Sequence, residues 1–296
     1  NLPLGLHYLI AVIYSIVVRV PLAVNFVSSF CGALTAVFVF QITKRTFQNT
    51  RAAINAAILV AFFPAMIIWS SQIMKDGFVV LFVVIVIWVL IRIQDKFSYV
   101  DLALLGLSLV AILSVRFYIF YFAVLAAGGS FLFGGKNRTA NNIRGLVVAT
   151  CVAIFAAYTG VLSVGTEQVE KISNLDNVQY SRSSLSTEAA SGYNSDTDIR
   201  TLSGAASAFP IGLTNLMLAP FPWQFTSIRA ALTLPEMIIW WALIPCLFIG
   251  AKYTLTNRFR EAIPISLFTI TLTVVYALFQ TNVGTAYRQR TQIQVF

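Results

Sequence analysis

Residues 63–92 read FPAMIIWSSQIMKDGFVVLFVVIVIWVLIR, and two features of this run decide the class of fold. From Phe78 to Ile91 the chain passes without a charge, a proline or a glycine, so a helix here is apolar on every face and needs lipid or a deep core around it. Just before it, Lys75 and Asp76 fall in the short gap from Met74 to Gly77 between two apolar runs. A gap that short forces an antiparallel hairpin with the two charges at its tip.

The same pattern extends in both directions. The 296 residues are 58% hydrophobic, 14% aromatic and 10% charged, with a mean hydropathy of +0.81. Such a chain cannot bury its apolar surface inside a water-soluble globule, so lipid is its main solvent. Eight spans are expected, at about 22–43, 52–73, 77–93, 100–115, 117–134, 144–164, 234–252 and 262–280. The fold class is an all-α polytopic membrane protein, organised as one transmembrane domain over 1–296. An outer-face interfacial segment is expected over 1–21, because Arg19 and Pro21 interrupt the apolar stretch from Leu6 before it can cross. A large extracytoplasmic loop follows at 165–233 and an external turn at 281–296. Within the loop, 205–223 is apolar but carries Pro210, Pro220 and Pro222 and ends at Trp223, which reads as a re-entrant or interface-lying segment. The chain opens at Asn1 without an initiator methionine, and 291–296 begins a further apolar run, so more sequence is expected on both sides.

Charge sets the orientation. Eleven of the 20 basic residues fall in one set of links: Lys44, Arg45 and Arg51; Arg92 and Lys96; Lys136, Arg138 and Arg144; Lys252, Arg258 and Arg260. These links are cytoplasmic by the positive-inside rule, which accounts for most of the net charge of +9 and leaves no case for nucleic acid. Lys75, Asp76, Arg116, Arg288 and Arg290 then lie on the opposite face, where cations are disfavoured unless they have work to do. Four cations and a carboxylate on one external surface suit a ligand carrying phosphate.

Each candidate has a bland role beside the functional one. Asp76 can cap a helix N-terminus, whereas Lys75 gains nothing from that dipole and has only outer-leaflet headgroups as its alternative partner. Arg116 sits at a hairpin tip beside Tyr118 and Tyr121, as a phosphate fork with aromatic walls or as an interfacial anchor. Arg288 and Arg290 can face one ligand only if the segment after Gly284 is extended or irregular, because i and i+2 diverge on a helix. Tyr287 and Trp223 are further candidates for a substrate cavity. Asp196 and Asp198 are alternate carboxylates, the weak signature of a divalent-cation site, in a loop whose other acids read as solubilising. Glu236, just after Pro235, reads as a helix-dipole partner. His7 is the single histidine and Cys31, Cys151 and Cys246 lie far apart in apolar runs, which excludes a His-based metal site and a Ser-His-Asp triad within this chain.

The stretch from Leu4, Gly5, His7 and Tyr8, followed by PLAVNFVSSFCGALTAVFVFQITKRTF and by FPAMIIWSSQIMKDG, resembles the GT-C membrane glycosyltransferases, particularly bacterial members related to protein O-mannosyltransferases and aminoarabinose transferases. The resemblance covers about the first 130 residues. It implies an enzyme of the bacterial inner membrane that moves a sugar from a polyprenyl-phosphate carrier to a glycan, lipid or protein acceptor on the extracytoplasmic face, with membrane lipids around it. It matches Lys75 and Asp76 to a polar tip that binds the carrier phosphate in some members. The family's catalytic acid in the first external loop has no counterpart here, since no Asp or Glu occurs before Asp76, which leaves Asp76 as a substitute base. Two other readings stand beside this one: a polymerase or ligase of lipid-linked oligosaccharides, and a non-catalytic membrane subunit or lipid-binding scaffold.

Overall fold

The computed structural model describes residues 5–17, 19–133, 175–187, 191–193, 197–224 and 233–296, with isolated positions among 143–150 and at 231. The chain divides into two compact units, one of Asn1–Ala149, Ile249–Thr269 and Gln294–Phe296, the other of Thr150–Phe248 and Ile270–Ile293.

In the first unit, α1 (Gly5–Ile16) buries Leu6 and Ile13 and stops before Pro21. The helix α2 (Pro21–Phe47) starts on that proline, whose fixed φ and missing N–H suit a first helical position. It ends at Gln48, which takes a left-handed φ of 53° and donates its N–H to the Lys44 carbonyl at 3.0 Å. Asn49 then caps α3 (Thr50–Phe62), its Oδ1 accepting from Arg51 N and Ala52 N at 3.0 and 3.1 Å. The expected continuous span 52–73 is corrected here: α3 and α4 (Pro64–Ser70) meet at a 53° bend. Pro64 has no N–H to continue the ladder, and it drives Phe63 to ψ 122°, outside the helical region.

The helix α5 (Asp76–Asp95) is the centre of this unit, packing against α2, α4, α6 (Tyr99–Val115) and α7 (Phe117–Phe133). Fifteen of its 20 residues are buried, which is why its sequence shows no polar stripe. The helix α2 runs parallel to it: Ser28 near the start of α2 lies against Gly77 at the start of α5, and Arg45 near the end of α2 meets Asp95 at 2.8 Å at the end of α5. At that second end Arg92 is 3.1 Å from Asp101 and stacks over Trp88 at 4.5 Å, while the Gln94 amide donates to Ser130. The rise from Asp76 to Arg92 is about 24 Å, so the Asp76 end and the basic end lie most of a bilayer apart.

The second unit holds α8 (Leu175–Thr187), α9 (Leu202–Leu218) and a 3-10 turn at Pro222–Gln224, with parts of α10 (Leu234–Asn257), α11 (Phe259–Phe279) and α12 (Val283–Gln294). Two expectations are corrected. Pro210 does not break the apolar stretch of the loop but sits inside α9. Residues 283–294 are helical rather than extended, with Asn282 Oδ1 accepting from Gly284 N at 2.9 Å to start the turn.

Among the described residues four helices, Pro21–Phe47, Asp76–Asp95, Leu234–Asn257 and Phe259–Phe279, are long and apolar enough to cross a bilayer, with a fifth if the bent α3–α4 pair counts as one span. The expected spans 100–115 and 117–134 are apolar helices of 17 residues each, about 25 Å long against a core of about 30 Å. The expected span 144–164 lies outside the described residues apart from isolated positions. Large apolar side chains point outward along α2 (Leu22, Phe26, Phe30, Val37) and α10 (Ile238, Ile239, Phe248, Ile249), as a lipid-facing surface requires. Cys246 is exposed on α10 and Cys31 is half-buried on α2.

Candidate functional site

Helix ends create the site in the first unit. Lys75 occupies the N-cap position of α5 and Asp76 its first turn, where a carboxylate faces the positive end of the helix dipole. Arg116 is the single residue between α6 and α7: its N–H returns to Ile112 O at 2.7 Å and its carbonyl accepts from Ile119 N at 3.1 Å. This tight tip fixes the direction of the side chain. Arg116 Nη1 lies 3.0 Å from Asp76 Oδ1, and the two side chains are 10% and 3% exposed. The guanidinium also stands over the Tyr118 ring at 5.8 Å. Two candidates 40 residues apart in sequence thus form one buried ion pair.

Small residues allow the burial. A Cβ on Gly77 would lie 3.0 Å from Ser28 Oγ and 3.2 Å from the Ser70 backbone, and one on Gly32 would lie 2.6 Å from Ser70 Oγ. The ends of α2, α4 and α5 therefore close over Asp76 with no side-chain bulk between them. Gly5 does the same for α1, where a Cβ would come within 2.4 Å of Ser114 O beside Arg116. The spacing of Ser28 and Gly32, i and i+4 on one helix, was the signal in the sequence. Lys75, by contrast, is half-buried and makes no ion pair with any described residue. Around this end of the unit Asn25 Oδ1, Ser28 Oγ and Tyr121 Oη are buried with no hydrogen-bond partner among the described residues.

Arg290 belongs to the second unit and is fully buried. Its Nη1 donates to the carbonyls of Ala219, Met217 and Leu216 at 2.8, 3.1 and 3.4 Å, and its Nη2 lies 3.1 Å from Met237 Sδ. Trp240 and Trp241 donate their indole N–H groups to Met217 O and Leu218 O at 2.6 and 3.0 Å. Together these side chains cap the C-terminal, negative end of α9. Burial pulls the Arg290 guanidinium down to about 10, with Glu236 and Tyr287 acting in the opposite sense, so it stays cationic at neutral pH. Glu236 is more than a dipole partner, since it is buried and accepts from Tyr287 Oη at 2.6 Å. Arg288 is half-buried and, two residues back on a helix, points about 200° away from Arg290. The expectation that both face one ligand is therefore corrected: α12 separates them, and Arg290 is spent on carbonyl oxygens.

Trp223 is exposed and stacked on Phe221, with centroids 4.8 Å apart and rings 4° from parallel, an arrangement suited to an interfacial anchor. Asp198 is held by Arg200 at 2.7 Å, and Asp176 by the same guanidinium at 2.9 Å. The hydrogen bonds from Arg200 hold the Asp198 carboxyl below its ordinary range and push the Arg200 guanidinium higher still. Asp196 lies outside the described residues, and among those described no three His, Cys, Asp or Glu converge as a metal cluster.

No curated protein and no solved structure matches the chain. The sequence model of the dolichyl-phosphate-mannose-protein mannosyltransferases matches residues 1–159, a stretch that contains Lys75, Asp76 and Arg116 and stops short of Arg288 and Arg290. With its apolar membrane helices and more than half its length matched, the chain belongs to the dolichyl-phosphate-mannose-protein mannosyltransferase family of membrane glycosyltransferases.

Proposed function

We propose that the protein transfers a sugar from a polyprenyl-phosphate carrier to a glycan, lipid or protein acceptor on the extracytoplasmic side of the inner membrane. The observation that carries this reading is Lys75, a cation without an ion-pair partner among the described residues beside a buried Asp76–Arg116 pair, at the end of α5 remote from the basic loops. Loss of the sugar leaves negative charge on the carrier phosphate, and a fixed ammonium at a low-dielectric helix end stabilises that charge as it develops. Arg116 adds positive potential at the same place, and its hold on Asp76 fixes its orientation. Asp76 serves in this reading as a positioning residue, because its carboxylate is committed to Arg116. The buried polar atoms of Asn25, Ser28 and Tyr121, without a hydrogen-bond partner among the described residues, suit sugar hydroxyls. Arg290 is left out of the phosphate site because its Nη1 and Nη2 are turned to the end of α9 and to Met237 within the second unit.

Native mass spectrometry of the protein released from nanodiscs containing polyprenyl phosphate tests the proposal. Wild type is expected to retain the carrier, and Lys75→Ala to deplete it at unchanged thermal stability. Retention of bulk phospholipid alone, or equal carrier retention in both proteins, would overturn it.

A further inference from the structure

The second unit contains a buried cation that the reading above does not use. Arg182, on α8, is 2% exposed and has no carboxylate within ion-pair distance among the described residues. Its Nη1 donates to Thr197 O at 3.0 Å and lies 3.5 Å from Gln179 Oε1, while Nε is buried without an acceptor among the described residues. Tyr193 shows the same deficit, with a buried hydroxyl that has no partner among them. One residue braces both. The buried Thr281, between α11 and α12, donates its hydroxyl to Arg182 O at 2.7 Å, and its carbonyl accepts from Tyr193 N at 2.8 Å. The backbone on either side is tied down as well, since Val283 N donates to Ser191 O at 3.1 Å and Ser191 Oγ to Asn282 Oδ1 at 3.1 Å.

The nearby acids make no direct pair with Arg182. Asp198 and Asp176 are both gathered on Arg200, at 2.7 and 2.9 Å, and Asp198 supports the Arg182 charge only from a distance. Val178, one turn earlier on α8, packs with Ile199 and Ala208 in an apolar cluster that lowers the dielectric on that side. Burial lowers the Arg182 guanidinium and raises the Tyr193 phenol, but both shifts leave them as donors at neutral pH. A buried guanidinium edge and a buried hydroxyl, both without acceptors among the described residues and both on backbone held by one threonine, form a rigid pair of donors.

We infer that Arg182 and Tyr193 form an oxyanion-binding site in the extracytoplasmic loop, which takes a phosphate or carboxylate group. The inference stands independently of the carrier site at Lys75, because it uses residues of the second unit alone. An oxyanion supplies the missing countercharge to Arg182 and accepts from Nε–H and from the Tyr193 hydroxyl, the charge-assisted geometry that arginine favours.

Tyr193→Phe is the diagnostic variant, since it removes only a hydroxyl that makes no hydrogen bond to any described residue. Its melting temperature without ligand is expected to equal or exceed that of wild type. The protein in zwitterionic nanodiscs is titrated calorimetrically with inorganic phosphate, and melted in parallel in nanodiscs that contain polyprenyl phosphate. Saturable phosphate binding that Tyr193→Phe weakens by roughly tenfold identifies a site for a soluble oxyanion. No binding of free phosphate, with a stabilisation by polyprenyl phosphate that Tyr193→Phe abolishes, identifies a lipid headgroup at the same site. Arg182→Lys is expected to weaken either ligand further, because it keeps the charge and loses the fork. If neither ligand responds to Tyr193→Phe, the two donors are satisfied by water and the inference is overturned.

Discussion

Replacing either partner of the Asp76–Arg116 pair alone should damage the protein far more than replacing both. At 3.0 Å and an effective dielectric constant near 20, the Coulomb attraction is on the order of 5 kcal/mol, offset by what it takes to remove two charges from water. Those opposing terms leave the intact pair contributing little net stability. Asp76→Asn, however, strands a buried guanidinium, and Arg116→Gln strands a buried carboxylate, so each single change should cost about 3–5 kcal/mol. The double variant leaves two neutral amides able to hydrogen-bond at the same helix ends and should lie within about 1–2 kcal/mol of wild type. The coupling energy in the double-mutant cycle should therefore be at least about 3 kcal/mol, above what a solvated pair shows. Steric trapping in bicelles measures the unfolding free energy of all four proteins. Additive single effects, or single costs below about 1 kcal/mol, would refute a buried and mutually dependent pair.

Three further predictions rest on geometry elsewhere in the chain. Gly212→Ala on α9 should destabilise by at least about 2 kcal/mol, because its Cβ would meet Ala277 O at 1.7 Å, whereas Gly106→Ala on α6 meets nothing within 4 Å and should stabilise by up to about 1 kcal/mol; thermal unfolding in detergent distinguishes them. Arg290→Met should cost about 2–4 kcal/mol and speed hydrogen exchange at the end of α9, since three carbonyls lose a charged donor. The Arg200 contacts depress the Asp198 carboxyl below its ordinary 3.8, so their contribution is complete above about pH 5 and fades as pH falls through the lowered value. Proteolysis of the loop should therefore be constant from pH 7 to 5 and rise only at stronger acidity, and Asp198→Asn should remove that rise.

Hydrophobic pattern alone marked the helices whose environment is uniform. The expected spans 77–93, 100–115 and 117–134 lie within about two residues of α5, α6 and α7, because polar tips and charges end them sharply. Proline was harder to judge. At Pro64 the neighbouring residue leaves the helical region and a bend follows, while at Pro210 the helix continues, with Thr214 Oγ donating to Pro210 O at 2.8 Å. Which outcome follows depends on the packing around each proline, and composition carries no trace of that. The candidate cations were picked out by the alternation of charge along the chain, which is a property of the whole sequence. Their partners are tertiary facts: Arg116 finds Asp76 only because Ser28, Gly32, Ser70 and Gly77 let the helix ends close. Arg182 drew no notice because a Ser-rich and Asn-rich loop reads as solvated, and nothing in its spacing foretells Thr281 nearly a hundred residues later.

The enclosed polar helix α12 constrains how the protein is made. Its last turns bury Gln289, Arg290, Thr291 and Gln292 on every side, a segment that the insertion machinery has no reason to release into lipid by itself. It reaches its place only after α9 and α10 can offer carbonyls to Arg290, a carboxylate to Tyr287 and sulfur at Met237. Synthesis therefore delivers the apolar helices first and leaves the second unit open until its polar plug arrives, so the capping of α9 is a late, post-insertion step in biogenesis.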